Sequence, residues 1–302
     1  MSVGAGAPGS RDAETVSRSG GPDFLCVGAQ KAGTQWLYDQ LAPHPDFWLP
    51  PIKEFHHFDL PGSRRELAEG MLRRAEADLD AFNAFRQQNL RRALVERDVA
   101  FLRKFVAMPA GVDIEAYAAL FDDKGASIAG DVTPGYSILE SGVIGTIAAR
   151  FPDLKVIFIA RDPVDRFWSA FNMRLRRGDL KGRADIRSVE RFAAREGVMS
   201  RSRQSVTVRR WREAIPADRF ALFFFDDLVA DPATLRREVL TFLGGSPDAA
   251  ATVEAGFNRK GDNEKVPMDA AMQAAIARIL ADELKACAAE FGGRAVAWAR
   301  RG

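Results

Sequence analysis

The chain has 302 residues, 47% of them apolar and 28% charged, with a formal net charge of +2. That length and composition allow one large α/β core, and the charge gives no reason to expect a nucleic acid or an acidic membrane as partner. Two cysteines, Cys26 and Cys287, make no disulfide framework, and no apolar run approaches the ~20 residues of a membrane span.

Residues 1–22 are rich in Gly and Ser and lack the apolar stretch of a signal peptide, so a disordered tail is expected ahead of a single domain over 23–302. A soluble, cytoplasmic protein is the corresponding expectation. Phe24 to Val27 then form a short apolar run, long enough for one buried parallel strand. Gly28 to Gly33 make a glycine-bracketed turn, and Thr34 to Leu41 read as a helix. Strand, turn and helix start together form an anion cradle, because free backbone N–H groups and the helix dipole converge there. The spacing Gly28-x-x-x-x-Gly33 is that of a nucleotide P-loop, yet Lys31 lies inside the loop and Gly33 is followed directly by Thr34. The Gly-Lys-Ser/Thr of a metal-dependent nucleotide hydrolase is missing. On its own the stretch is also compatible with a plain Gly-rich turn and a solvated lysine.

Pro50-Pro51 precede Lys53-Glu54-Phe55-His56-His57-Phe58-Asp59, which sets carboxylates and imidazoles among aromatics, the mixture that tunes acid/base groups. Residues 63–107 are polar and helical in composition, with apolar positions three and four apart, and one or two amphipathic helices are expected. A short helix is expected over 113–121, then a turn at Gly130-Asp131-Val132-Thr133-Pro134-Gly135-Tyr136. Leu154 to Ala160 read as a second strand, closed by Arg161-Asp162-Pro163 and followed by a helix to Arg177. A basic helix over 200–215, a third strand over 220–225, a helix from Asp231 to Leu243 and a final helix over 269–291 complete the chain.

Gln30-Lys31-Ala32-Gly33-Thr34-Gln35-Trp36 resembles the 5′-phosphosulfate loop of sulfotransferases that use 3′-phosphoadenosine 5′-phosphosulfate. Lys53-Glu54-Phe55-His56 and Gly130-Asp131-Val132-Thr133-Pro134-Gly135-Tyr136 are similar to segments of the carbohydrate branch, with Asp131 where Glu is commoner. Arg161 with Ser169, and Phe257-Asn258-Arg259-Lys260-Gly261, are similar to the pieces that grip the 3′-phosphate. The resemblance covers residues 24 to about 261 apart from the helical stretch. It implies a single α/β domain with a central, mostly parallel sheet and helices on both faces, the P-loop-like sulfotransferase fold. It further implies sulfonate transfer to a hydroxyl of a sugar or other small molecule, with no metal.

Under that resemblance Glu54 is the base, with His56 beside it and His56 or His57 as its competitors. Lys31 meets the bridging oxygen and the 5′-phosphate, and Ala32, Gly33, Thr34 and Gln35 line the same group. Trp36 is either an adenine-stacking residue or a core tryptophan. Arg161, Ser169, Arg259, Lys260 and Gly261 hold the 3′-phosphate. The helical stretch 63–107 is expected to be a lid on the acceptor side. A P-loop kinase and an inactive nucleotide-binding scaffold are the rival readings.

Overall fold

The first apolar run becomes the middle strand of a sheet. In the computed structural model, which describes residues 20–86, 92–180, 184–249, 253–257 and 266–301, β1 (Phe24–Gly28) is buried along its whole length. Such a strand needs cover on both faces, which helices supply. α1 (Thr34–Leu41) follows the glycine turn, and β2 (Phe47–Trp48) lies two strands away from β1. The helical stretch holds α2 (Arg65–Ala77), α3 (Leu79–Arg86) and α4 (Glu96–Ala107), three helices where one or two were expected. α5 (Ile114–Ala119) leads to β3 (Ile128–Val132), and α6 (Ser141–Arg150) to β4 (Lys155–Ala160).

α7 (Pro163–Arg176) starts with proline in its first turn, and the Asp162 side chain caps the N–H groups of Val164 and Asp165. α8 (Ile186–Ala193) and α9 (Gln204–Ala214) precede β5 (Phe220–Phe224), and α10 (Phe225–Ala230) and α11 (Pro232–Leu243) follow it. The C-terminal helix is broken in two, α12 (Ala270–Ile279) and α13 (Ala281–Phe291), and α14 (Ala295–Trp298) ends the fold.

The five strands are all parallel, in the order β2-β3-β1-β4-β5. This is the single α/β domain expected, with five strands instead of three. From β1 the chain crosses toward β2, and from β4 it crosses the opposite way toward β5. The crevice between the carboxyl ends of β1 and β4 is therefore the topological switch point, where open α/β sheets bind ligands.

Two stitches bear on the site. Trp48 of β2 donates its indole N–H to Asp98 of α4 (2.9 Å), and Arg92 bonds both Asp98 and the Leu49 carbonyl. Phe101 of α4 is buried against Phe55, ring centroids 5.3 Å apart. α4 is thus part of the core, tied to β2 and to the Lys53–Asp59 segment. At the other end of the chain Arg301 donates to Asp162 (2.7 Å) and lies 3.1 Å from Asp165, latching the C-terminus onto the start of α7.

Candidate active site

The loop after β1 places its backbone as an anion cradle requires. Gly33, at φ 91°, begins α1, and a Cβ there would meet Leu228 and Phe225, so only glycine fits. No side chain caps α1 and its first turn holds no acidic residue. Its positive end is therefore presented to the crevice. Ala32 is buried, Thr34 nearly so, and the Gln35 amide bonds Asp39 along the helix (2.9 Å). Trp36 is a core residue: it is 1% exposed and donates its indole N–H to the Ala255 carbonyl at 2.7 Å. That burial corrects the adenine-stacking alternative.

The Lys53–Asp59 segment sorts its side chains by face. Phe55, His57 and Phe58 turn into an aromatic cluster with Tyr117, Phe101 and Tyr136. His57 is stacked on Tyr117, and its Nε2 accepts the Asp113 N–H (3.1 Å). Burial lowers its pKa, and it is structural. Glu54 and His56 turn the other way. Lys53 Nζ lies 2.7 Å from the Glu54 carboxylate and 3.5 Å from the Thr34 hydroxyl, joining the segment to the end of the loop that follows β1. Arg64, just before α2, donates Nε to the Glu54 carbonyl (3.0 Å) and Nη2 to its carboxylate (3.1 Å). His56 Nε2 stands 3.6 Å from the same carboxylate, and His56 Nδ1 bonds Asp59 at 2.9 Å.

Charged neighbours, not burial, set the state of Glu54. Burial alone would raise the Glu54 pKa, but the nearby His56 imidazolium and the charges of Lys53 and Arg64 outweigh it and hold the carboxyl far below its usual range. The neighbouring phenylalanines do not set it. For His56, burial opposes the charge, yet Asp59 and Glu54 raise its pKa to about 9, so it is an imidazolium at neutral pH. Behind them Asp131 is buried and accepts from Thr133, Tyr136 and Tyr117 hydroxyls; burial raises its pKa to about 6 despite those bonds. Gly135 leaves room for the His56–Asp59 pair, since a Cβ there would strike both.

Among the described residues, three that are not glycine have positive φ: Lys31 (73°), Glu54 (63°) and His56 (56°). Such conformations cost on the order of 1–3 kcal/mol each and gather where a side chain must be aimed. Here they coincide with the three residues that the sequence singled out as catalytic.

Across the crevice, Arg161 follows β4. Its Nη1 donates to the Lys31 carbonyl (2.7 Å), its guanidinium lies 4.3 Å over the Phe225 ring, and its buried Nε has no hydrogen-bond partner among the described residues. Burial lowers its pKa. Ser169 is half-buried on α7, two turns on. Arg259, Lys260 and Gly261 lie outside the described residues. No group of three or more His, Cys, Asp or Glu with metal-site geometry occurs among the described residues. Sequence reasoning missed Arg64, which carries no local signal, and gave no role to Asp59 although it lies in the quoted segment.

The family model for the sulfotransferase family matches residues 22–248. The chain belongs to that family. Solved structures with the same fold include a sulfotransferase from Alicyclobacillus acidocaldarius, at 21% identity and TM-score 0.61, covering 92% of this chain and 98% of that one. The sulfotransferase domain of the Synechococcus PCC 7002 olefin synthase matches at 19% identity and TM-score 0.53, over 87% and 94% of the two chains. The sulfotransferase domain from the curacin biosynthetic pathway matches at 17% and 0.51, over 86% and 97%. A comparison with curated proteins finds no match. No helix among the described residues is long and apolar enough to cross a membrane.

Proposed function

We propose that the chain transfers a sulfonate group from 3′-phosphoadenosine 5′-phosphosulfate to a hydroxyl of a sugar or other small-molecule acceptor. The observation that carries this reading is Lys53, which stands between Thr34 of the phosphate loop and the carboxylate of Glu54. One lysine thus joins the anion cradle to the candidate base. The donor suits the residues present: an uncapped helix start faces the crevice, and the buried Arg161 Nε has no hydrogen-bond partner among the described residues.

In this reading the backbone of Gly33 to Gln35, with Lys31, holds the 5′-phosphosulfate, and Arg161 and Ser169, joined by Arg259, Lys260 and Gly261, hold the 3′-phosphate. A guanidinium suits a phosphate because its fork matches the oxygens. The acceptor oxygen bonds sulfur as the bond from sulfur to the 5′-phosphate oxygen breaks, and Glu54 takes the hydroxyl proton. Lys53 swings from Glu54 toward the sulfonate oxygens, which both stabilises developing charge and restores basicity to Glu54. His56, fixed by Asp59, orients Glu54 and the acceptor.

The test is a paired assay with ³⁵S-labelled donor and γ-labelled ATP, each with and without chelator. Sulfonate transfer that survives chelation is expected. Transfer from ATP with a strict Mg²⁺ requirement would replace this reading with a kinase, and binding without any transfer would make the chain a scaffold.

A further inference from the structure

Gln204 opens α9 and is 1% exposed. Both ends of its amide are committed to one residue: Oε1 accepts the Arg161 N–H at 3.0 Å, and Nε2 donates to the Arg161 carbonyl at 2.7 Å. The last ladder pair between β4 and β5 is Ala160 with Phe224, so Arg161 leaves the sheet with no strand beside it. The amide replaces the missing strand, satisfying both peptide groups of a part-buried strand end that would otherwise lack ladder partners.

α9 is anchored independently of this contact. Ser205 bonds Glu283 through both its N–H and its hydroxyl at 2.8 Å, and Thr207 donates to the Ser137 carbonyl at 2.8 Å. The helix start is a fixed support, and the amide extends from it to the backbone of Arg161. With that backbone held, the guanidinium reaches the Lys31 carbonyl and the face of Phe225.

We propose that Gln204 is a positioning residue for the donor's 3′-phosphate, acting through the backbone of Arg161. The proposal rests on the reading of Arg161 given above. A side chain that cannot both accept and donate lets the Arg161 peptide turn, while Ser205 and Thr207 keep α9 in place.

Calorimetry of Gln204→Met with 3′-phosphoadenosine 5′-phosphate and with adenosine 5′-phosphate tests it. The 3′-phosphorylated ligand is expected to lose about tenfold in affinity, the size of one hydrogen-bonded charge contact, and the other ligand less than about twofold. The double variant with Arg161→Ala should bind no more weakly than Arg161→Ala alone. Gln204→Glu keeps the acceptor but sets charge against the carbonyl, and gives the same selective loss should Gln204→Met fail to fold. Equal losses for both ligands, additive losses in the double variant, or no loss would overturn the proposal. If Arg161→Ala itself shows no selectivity for the 3′-phosphate, the reading of Arg161 fails and takes this inference with it. If Arg161→Ala is selective and the Gln204 variants are not, only the inference fails.

Discussion

Glu54 is pressed between Lys53, Arg64 and His56, and a carboxylate so heavily paired is a weak base until one cation moves. Lys53 is the one whose alternative partner is Thr34, at the end of the loop after β1. Glu54→Gln keeps the shape and removes the basicity, so turnover should fall by about 10²–10⁴ while affinity for 3′-phosphoadenosine 5′-phosphate hardly changes. Near-normal turnover in this variant would move the base elsewhere. His56 supplies a second, independent reading. Its folded pKa of about 9 lies above the ordinary ~6.5, so the stability from its pairing with Asp59 and Glu54 is complete below pH 6.5 and lost as pH rises through 9. Urea unfolding of the wild type and His56→Asn at intervals from pH 6 to 10 measures that loss. Parallel curves for the two proteins would show that the pairing stabilises nothing.

α2 and α3 follow Arg64 directly and bury Ala68, Met71, Ala75 and Phe82 but expose Leu67 and Phe85, whereas α4 is tied to β2 and the Lys53–Asp59 segment through Asp98 and Phe101. The proposed lid is therefore α2 with α3. Excising them with α4 left in place should alter which acceptors are sulfonated and leave donor-product affinity intact, as followed by mass spectrometry and calorimetry. Loss of nucleotide affinity in a trimmed protein that still folds would remove the lid role.

The same elements show what could be read from sequence. The loop at Gly28–Gly33 and the Arg161-Asp162-Pro163 stop were legible because their chemistry is local: glycine for positive φ, proline for a helix start. β3 was not. Its run Ile-Ala-Gly-Asp-Val holds a buried carboxyl that is tolerated only because hydroxyls of Tyr117, Tyr136 and Thr133 meet it. β2 has two residues, too few for any periodicity. The sign of the Glu54 shift was illegible for a related reason. Its aromatic neighbours are adjacent in sequence, while Arg64 lies ten residues away and reaches it only through the fold. Trp36 was open between a ligand platform and a core tryptophan, because only the fold shows that its indole N–H is committed to the carbonyl of residue 255.

At the scale of the whole molecule, the sheet order puts β1 at the centre, and the two segments that meet across the crevice are the ones that follow β1 and β4. That centrality also makes the molecule its own reporter of opening. Its two cysteines are both free and fully buried, Cys26 in β1 and Cys287 in α13. Burial pushes the Cys26 thiol up to about 12, and burial beside Glu283 raises that of Cys287. Thiol reagents attack the thiolate, so neither sulfur should react until the chain opens around it. Alkylation followed by peptide mapping thus follows two sites separately, Cys26 at the centre of the sheet and Cys287 in the C-terminal helices. Donor product bound in the crevice should slow the first more than the second. Cys26 alkylated at the pace of a free thiol in native protein would show that β1 is not the closed centre described here.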